Sequence, residues 1–156
     1  ELLPVTHAVN EWQWIDGVVD SGAEDSVAHP SMCPQYPVQP SPSSIAGDGY
    51  TSASGDHTPC LGQQVLPVVT GDGYEVNVKY QSADVSRALN SVSEICDGGG
   101  AEGQLVLFSK YGGAILNLES WNKTYFERKG GIYTMGMWVK PPNLNESASV
   151  FPRPGE

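Results

Sequence analysis

The stretch Val18-Val19-Asp20-Ser21-Gly22-Ala23 decides the reading of this chain. Two β-branched apolar residues lead into a carboxylate, and β-branched residues favour strands. A hydroxyl and two small residues follow. Just upstream, Trp12-Gln13-Trp14-Ile15 meets Asp16-Gly17. Asp-Gly between two apolar runs is a strong hairpin signal, because both turn residues tolerate positive φ. The expectation is an aromatic hairpin over 12–19, with Asp20 at the end of its buried second strand. Such a placement suits peptide hydrolysis by two carboxylates that share one proton. One acts as base on a water while the other protonates the scissile carbonyl. Gly22 and Ala23 leave room for backbone and substrate, and Ser21 can lock the turn with a side-chain hydrogen bond. Taken alone, Asp-Ser-Gly is also what an ordinary turn looks like, where Asp and Ser simply cap the backbone.

Composition sets the wider frame. The 156 residues suit one domain with a sizeable core. Gly 18 and Pro 12 weaken long helices, so the expected class is mainly β, with many short strands and turns. The net charge of −10 argues against nucleic acid and against an anionic membrane surface, both of which need clustered Lys and Arg. No apolar run approaches the roughly 18–20 residues of a membrane span. Cys33, Cys60 and Cys96 form no CxxC pair and no zinc-like spacing with His7, His29 or His57. Neither a cofactor nor a metal is therefore expected, and the cysteines read as ordinary thiols, with one disulfide left open.

Outward from Asp20, residues 28–49 are rich in Pro, Ser and Gly and read as a long loop or an irregular edge. Residues 50–58 are small and polar and fit a hairpin tip. Val65–Val69 reads as a strand with an edge proline, Gly71-Asp72-Gly73 as a turn, and Tyr74–Tyr80 as a strand with one buried face. The best helix candidate is Ala83–Cys96, at least over Val92–Cys96, and Asp97 with Gly98–Gly100 stops it. Leu105–Phe108 reads as a short buried strand, and Gly112-Gly113 as a turn into Ala114–Leu118. Thr124–Arg128, a Gly130-Gly131 turn and Ile132–Val139 read as a last hairpin. The division is one domain over 1–140 and an extended Pro-rich tail over 141–156.

The segment Asp20-Ser21-Gly22-Ala23-Glu24-Asp25-Ser26 resembles the Asp-Thr/Ser-Gly-Ala-acid-acid-Thr/Ser segment of retroviral and retrotransposon proteases. Two further patches are similar to Copia-type retrotransposon polyproteins: Ala83–Val92 (ADVSRALNSV), and Gly131-Ile132-Tyr133-Thr134-Met135. The resemblance covers roughly residues 12–140. It implies a retropepsin-like half-barrel of short strands with one short helix. It also implies Asp20 as the catalytic aspartate and Ser21 as an interlocking contact between two subunits. Ala23, Glu24 and Asp25, beside Ser21 and Gly22, would bind substrate. By position the flap falls at Ala53, Ser54, Gly55 and Asp56. The chain departs from the pattern in two places. It lacks the hydrophobic-hydrophobic-Gly-Arg-Asp/Asn motif, and Asn90 stands where the Copia-like pattern prefers Leu.

Two functions follow from different classes. The first is an aspartic endopeptidase that cleaves a peptide or protein. The single Asp-Ser-Gly means that it needs a homodimer with two Asp20 carboxylates across the axis. The second is a catalytically idle fold that serves as an accessory subunit in a larger hetero-complex, an organellar one included. In both, the aromatic 12–19 segment and the Met- and Trp-bearing 132–139 strand are expected to expose apolar surface for association. Asp56, His57 and Cys60 form the weaker suggestion of a thiol protease. Trp12, Trp14, Trp121 and Trp138 read as packing residues.

Overall fold

The computed structural model describes residues 11–52 and 54–143. The first strand, β1 (Gln13–Asp20), runs straight through Asp16-Gly17, so the expected 12–19 hairpin does not form. Gly17 serves close approach instead of a turn. A Cβ there would sit 2.5 Å from the Asn90 side-chain nitrogen and 3.3 Å from Ala88. In place of itself, β1 pairs antiparallel with the last strand, β11 (Ile132–Val139), from Gln13 opposite Val139 to Val18 opposite Thr134. The two apolar runs expected to expose surface for association thus pair edge to edge, although Trp14 remains 46% exposed. Met135, Met137 and Val139 end up buried, and Trp14 and Trp138 meet edge to face at 5.1 Å.

On its other side β1 pairs in parallel with β7 (Leu89–Ser91), placing Asp20 opposite Ser91. The sheet continues through the short β2 (Val27–Ala28), then β6 (Glu75–Ser82), then β5 (Gly62–Thr70), and returns to β11. Because β11 also pairs with β1, six strands close into a barrel, where the sequence pointed to a half-barrel. Ile15, Val19, Ala28, Leu66, Val68, Tyr80, Met137 and Val139 fill its interior, where each large apolar side chain contributes about 1.5–3 kcal/mol. β5 is interior and not an edge, yet it tolerates Pro67. The Pro67 carbonyl accepts from Lys140 N–H, so the missing N–H points the same way, past the last β5–β11 pair at Val68. The alternation of β6 buries only its second half. Tyr80 is buried, while Val76 is 45% exposed at the barrel mouth.

Beyond β11 the sheet runs on as a meander of β10 (Lys123–Lys129), β9 (Gly112–Asn117) and β8 (Gln104–Ser109). The Gly130-Gly131 turn forms as expected, with Gly130 at φ 64°. The turn between β8 and β9 falls at Lys110-Tyr111, and Gly112-Gly113 belongs to β9. Gly113 is required there by the Phe126 ring, 2.2 Å from where a Cβ would stand. β8 is an exposed terminal strand and not a buried one: Leu105, Leu107 and Phe108 are each over two-fifths exposed. Among the described residues two short α-helices and a 3-10 turn (Pro30–Met32) occur where one helix was expected. α1 (Pro42–Ala46) starts at the Ser41 cap inside the Pro-rich stretch, and α2 (Val92–Asp97) follows β7 directly. Of the tail expected over 141–156, residues 144–156 lie outside the described residues. Among the described residues no helix is long and apolar enough to cross a membrane.

Candidate active site

Asp20 closes β1 and opens a tight turn. Gly22 N–H donates to Asp20 Oδ1 at 2.8 Å, and Ala23 N–H reaches the Asp20 carbonyl at 3.5 Å. The carboxylate itself therefore locks the turn, in the role assigned above to the Ser21 hydroxyl. Asp20, Ala23 and Asp25 are half-buried, whereas Ser21, Gly22 and Glu24 are exposed.

The loop over 21–26 is held from below by residues that the sequence reading did not single out. Ser91 Oγ donates to the Ala23 carbonyl at 2.8 Å, and Ser91 N–H donates to Ser26 Oγ at 3.0 Å. Ser91 is also the N-cap of α2, accepting from Glu94 N–H at 3.3 Å. The Glu94 carboxylate reaches across to the Ser26 N–H. Ser91-x-x-Glu94 has the spacing of a capping box, a signal that could have marked these residues. Only half of the box is used within the helix; the other half ties helix to loop.

The segment 49–59 forms a separate two-stranded hairpin of β3 (Gly49–Thr51) and β4 (His57–Pro59). Its tip carries the expected flap residues Ser54, Gly55 and Asp56; Ala53 lies outside the described residues. Ser52 N–H donates to the Asp56 carbonyl at 2.9 Å, Ser54 Oγ donates to Asp56 Oδ2 at 3.1 Å, and Gly55 takes φ 92°. The base of the hairpin is tied to the acidic loop, since the Tyr50 hydroxyl donates to Asp25 Oδ2 at 3.1 Å. Burial, and then the Asp25 charge, push the Tyr50 phenol well up, so it stays a donor at any physiological pH. Nothing in the sequence marked Tyr50, because its partner stands 25 positions away.

The remaining candidates separate. The Cys60 thiol faces Ser41, Gly62 and Gln81 and not His57, so the thiol-protease arrangement is absent. All three cysteines are free, and burial pushes the Cys33 thiol up to about 12. Asn90 is buried beside Tyr80, whose hydroxyl donates to Asn90 Oδ1. A polar pair thus occupies the place where an apolar residue was expected. A cleft of about 370 Å³ opens at the barrel mouth, bordered by Ser26, Val76, Asn90, Glu94, Ile115 and Met135 among others, but not by Asp20. Trp121, at φ 64° and 66% exposed, does not pack as expected of the tryptophans.

Comparison with protein-family models, with curated proteins and with solved structures finds no match for this chain.

Proposed function

We propose that this chain is one half of a retropepsin-like aspartic endopeptidase, completed when two copies bring their Asp20 carboxylates together. One observation carries the reading. Asp20 ends a core strand in a Gly22-supported turn, and a hairpin is bonded to the same acidic loop through Tyr50 and Asp25. A carboxylate held this way keeps its geometry, and two of them sharing a proton supply the base and the acid for attack of water on a peptide carbonyl. Ser21, Gly22, Ala23, Glu24 and Asp25 would bind substrate, with the 49–59 hairpin closing over it.

Asp20→Asn is the direct test. Peptide hydrolysis falls at least about a thousandfold, since the shared-proton pair is lost, while the circular dichroism and melting of the protein stay unchanged. Wild-type activity is highest at acid pH, where the pair holds one proton. Undiminished turnover of Asp20→Asn anywhere from about pH 3 to 7 removes Asp20 from the mechanism.

A second reading, the idle fold acting as an accessory interaction subunit, is favoured by one feature. The outer face of the β8–β10 meander exposes Leu105, Leu107 and Tyr125, more apolar surface than a solitary domain needs.

A further inference from the structure

At the β1 end the nine-stranded sheet closes on β11; at its other end the terminal strand β8 has no strand partner along its outer side over Gln104–Ser109 among the described residues. The outward groups can be named. Lys110-Tyr111 is a two-residue turn flanked by the pair Ser109 and Gly112, which is a hydrogen-bonded pair in such hairpins. By alternation, Leu107 and Leu105 bond to β9, while the N–H and C=O of Gln104, Val106 and Phe108 point away from the sheet. Natural edges are usually blunted by proline, a lysine within the strand, or a bulge. β8 has none of these: Gln104-Leu105-Val106-Leu107-Phe108-Ser109 pairs with β9 without interruption over six residues. Its outer-face side chains are apolar, with Leu105 43% and Leu107 53% exposed.

The sequence of this edge is complementary to itself. Read in both directions from Val106, Leu105 matches Leu107, Gln104 matches Phe108, and Glu102 matches Lys110. Glu102 and Lys110 are both exposed, and neither is in an ion pair among the described residues. We propose that β8 pairs antiparallel with β8 of a second copy about a two-fold axis at Val106, extending the sheet across two barrels. In that register Val106 faces the partner's Val106 as a hydrogen-bonded pair, and Leu105 faces the partner's Leu107 twice over. Glu102 and Lys110 lie in the turns just beyond the two ends of β8, so each end of the pairing brings a Glu102 turn towards the partner's Lys110 turn. A slip of two residues leaves a single leucine pair face to face, Leu107 with Leu107 or Leu105 with Leu105, and separates Glu102 from Lys110, so the register centred on Val106 is the favoured one. The contact is isologous, the form that closed dimers take. A foreign strand could use the same backbone groups, but the matched ends favour a second copy of this chain. β8 and the Asp20 turn lie on different elements, so the inference stands apart from the protease reading.

The test is sedimentation equilibrium on the Asp20→Asn protein, so that hydrolysis plays no part. A monomer–dimer equilibrium with a micromolar constant is expected. Leu107→Lys, at a site more than half exposed, weakens it at least about tenfold by placing a cation within the leucine cluster. Lys110→Glu weakens it several-fold, and adding Glu102→Lys restores it, because the swapped charges again match across the axis. Amide exchange supplies a readout that needs no variant: protection of Val106 and Phe108 rises with protein concentration. A monomer at all concentrations up to about 0.5 mM overturns the proposal. So does a dimer indifferent to Leu107→Lys, a charge swap that fails to restore association, or Val106 and Phe108 amides equally protected at every concentration.

Discussion

At the scale of single residues, Gly17 shows how one position can be read in two ways. Asp-Gly is a turn signal when the chain is free to reverse. Here the missing Cβ of Gly17 makes room for Asn90 and Ala88 from the neighbouring strand, and the chain stays extended. Gly17→Ala therefore forces the Asn90 amide to move inside a packed barrel. The expected cost is about 1–3 kcal/mol in urea unfolding, with no change in m-value. A neutral or stabilising substitution would show that the close approach of Asn90 does not require Gly17. Asp20 was legible at this scale, because a strand-ending carboxylate followed by small residues is a local pattern. Tyr50 and the Tyr80–Asn90 pair were not, because each acts through a residue distant in sequence.

Among the elements, β7 and α2 do the most to place the acidic loop. The strand passes beside β1 in parallel, and the helix starts at once from Ser91. One hydroxyl thereby caps the helix and holds the Ala23 carbonyl. Ser91→Ala removes both contacts from a fully buried site. We expect a loss of about 1–3 kcal/mol, and faster amide exchange in both Val92–Asp97 and the 21–26 loop. Destabilisation confined to the helix would show that the loop is held by other means. The helix was readable from Val92 onward, and its Gly98–Gly100 stop with it. That Glu94 would bond across to Ser26 was not, since in sequence terms it should have turned back to Ser91.

For the whole molecule, burial of weak acids sets the response to alkali. Burial pushes Cys33 up to about 12 and raises the phenol of Tyr80 as well. Both groups are neutral in the fold and ionise more easily once it opens. Their raised folded-state pKa values mean that the stability they carry is intact below the unfolded-state values and is lost as pH rises towards the folded-state ones. Unfolding free energy should therefore hold up to about pH 8.5–9, then fall by about 1.4 kcal/mol per pH unit on account of Cys33, and fall more steeply above about pH 10, where Tyr80 joins it. Urea melts across pH 7 to 11 read this directly. A flat profile to pH 11 would contradict burial of these groups. In the same protein, thiol reagents should modify the half-buried Cys96 well before Cys33 or Cys60.

The sequence by itself determined the mainly β class, most strand positions, the Gly130-Gly131 turn, the helix at Val92 and the strand-ending place of Asp20. These depend on period-two patterning, β-branched runs and glycine, all of which act over a few residues. Tertiary structure decided which strand pairs with which. It joined β1 to β11 across more than a hundred residues and closed a barrel where a half-barrel was expected. Met135 and Met137 were buried by that closure, and the terminal strand β8 was left with an open, apolar outer side. The physical reason is that an apolar strand looks the same whether its side chains meet a core or water. Only the long-range pairing of the sheet tells the two apart.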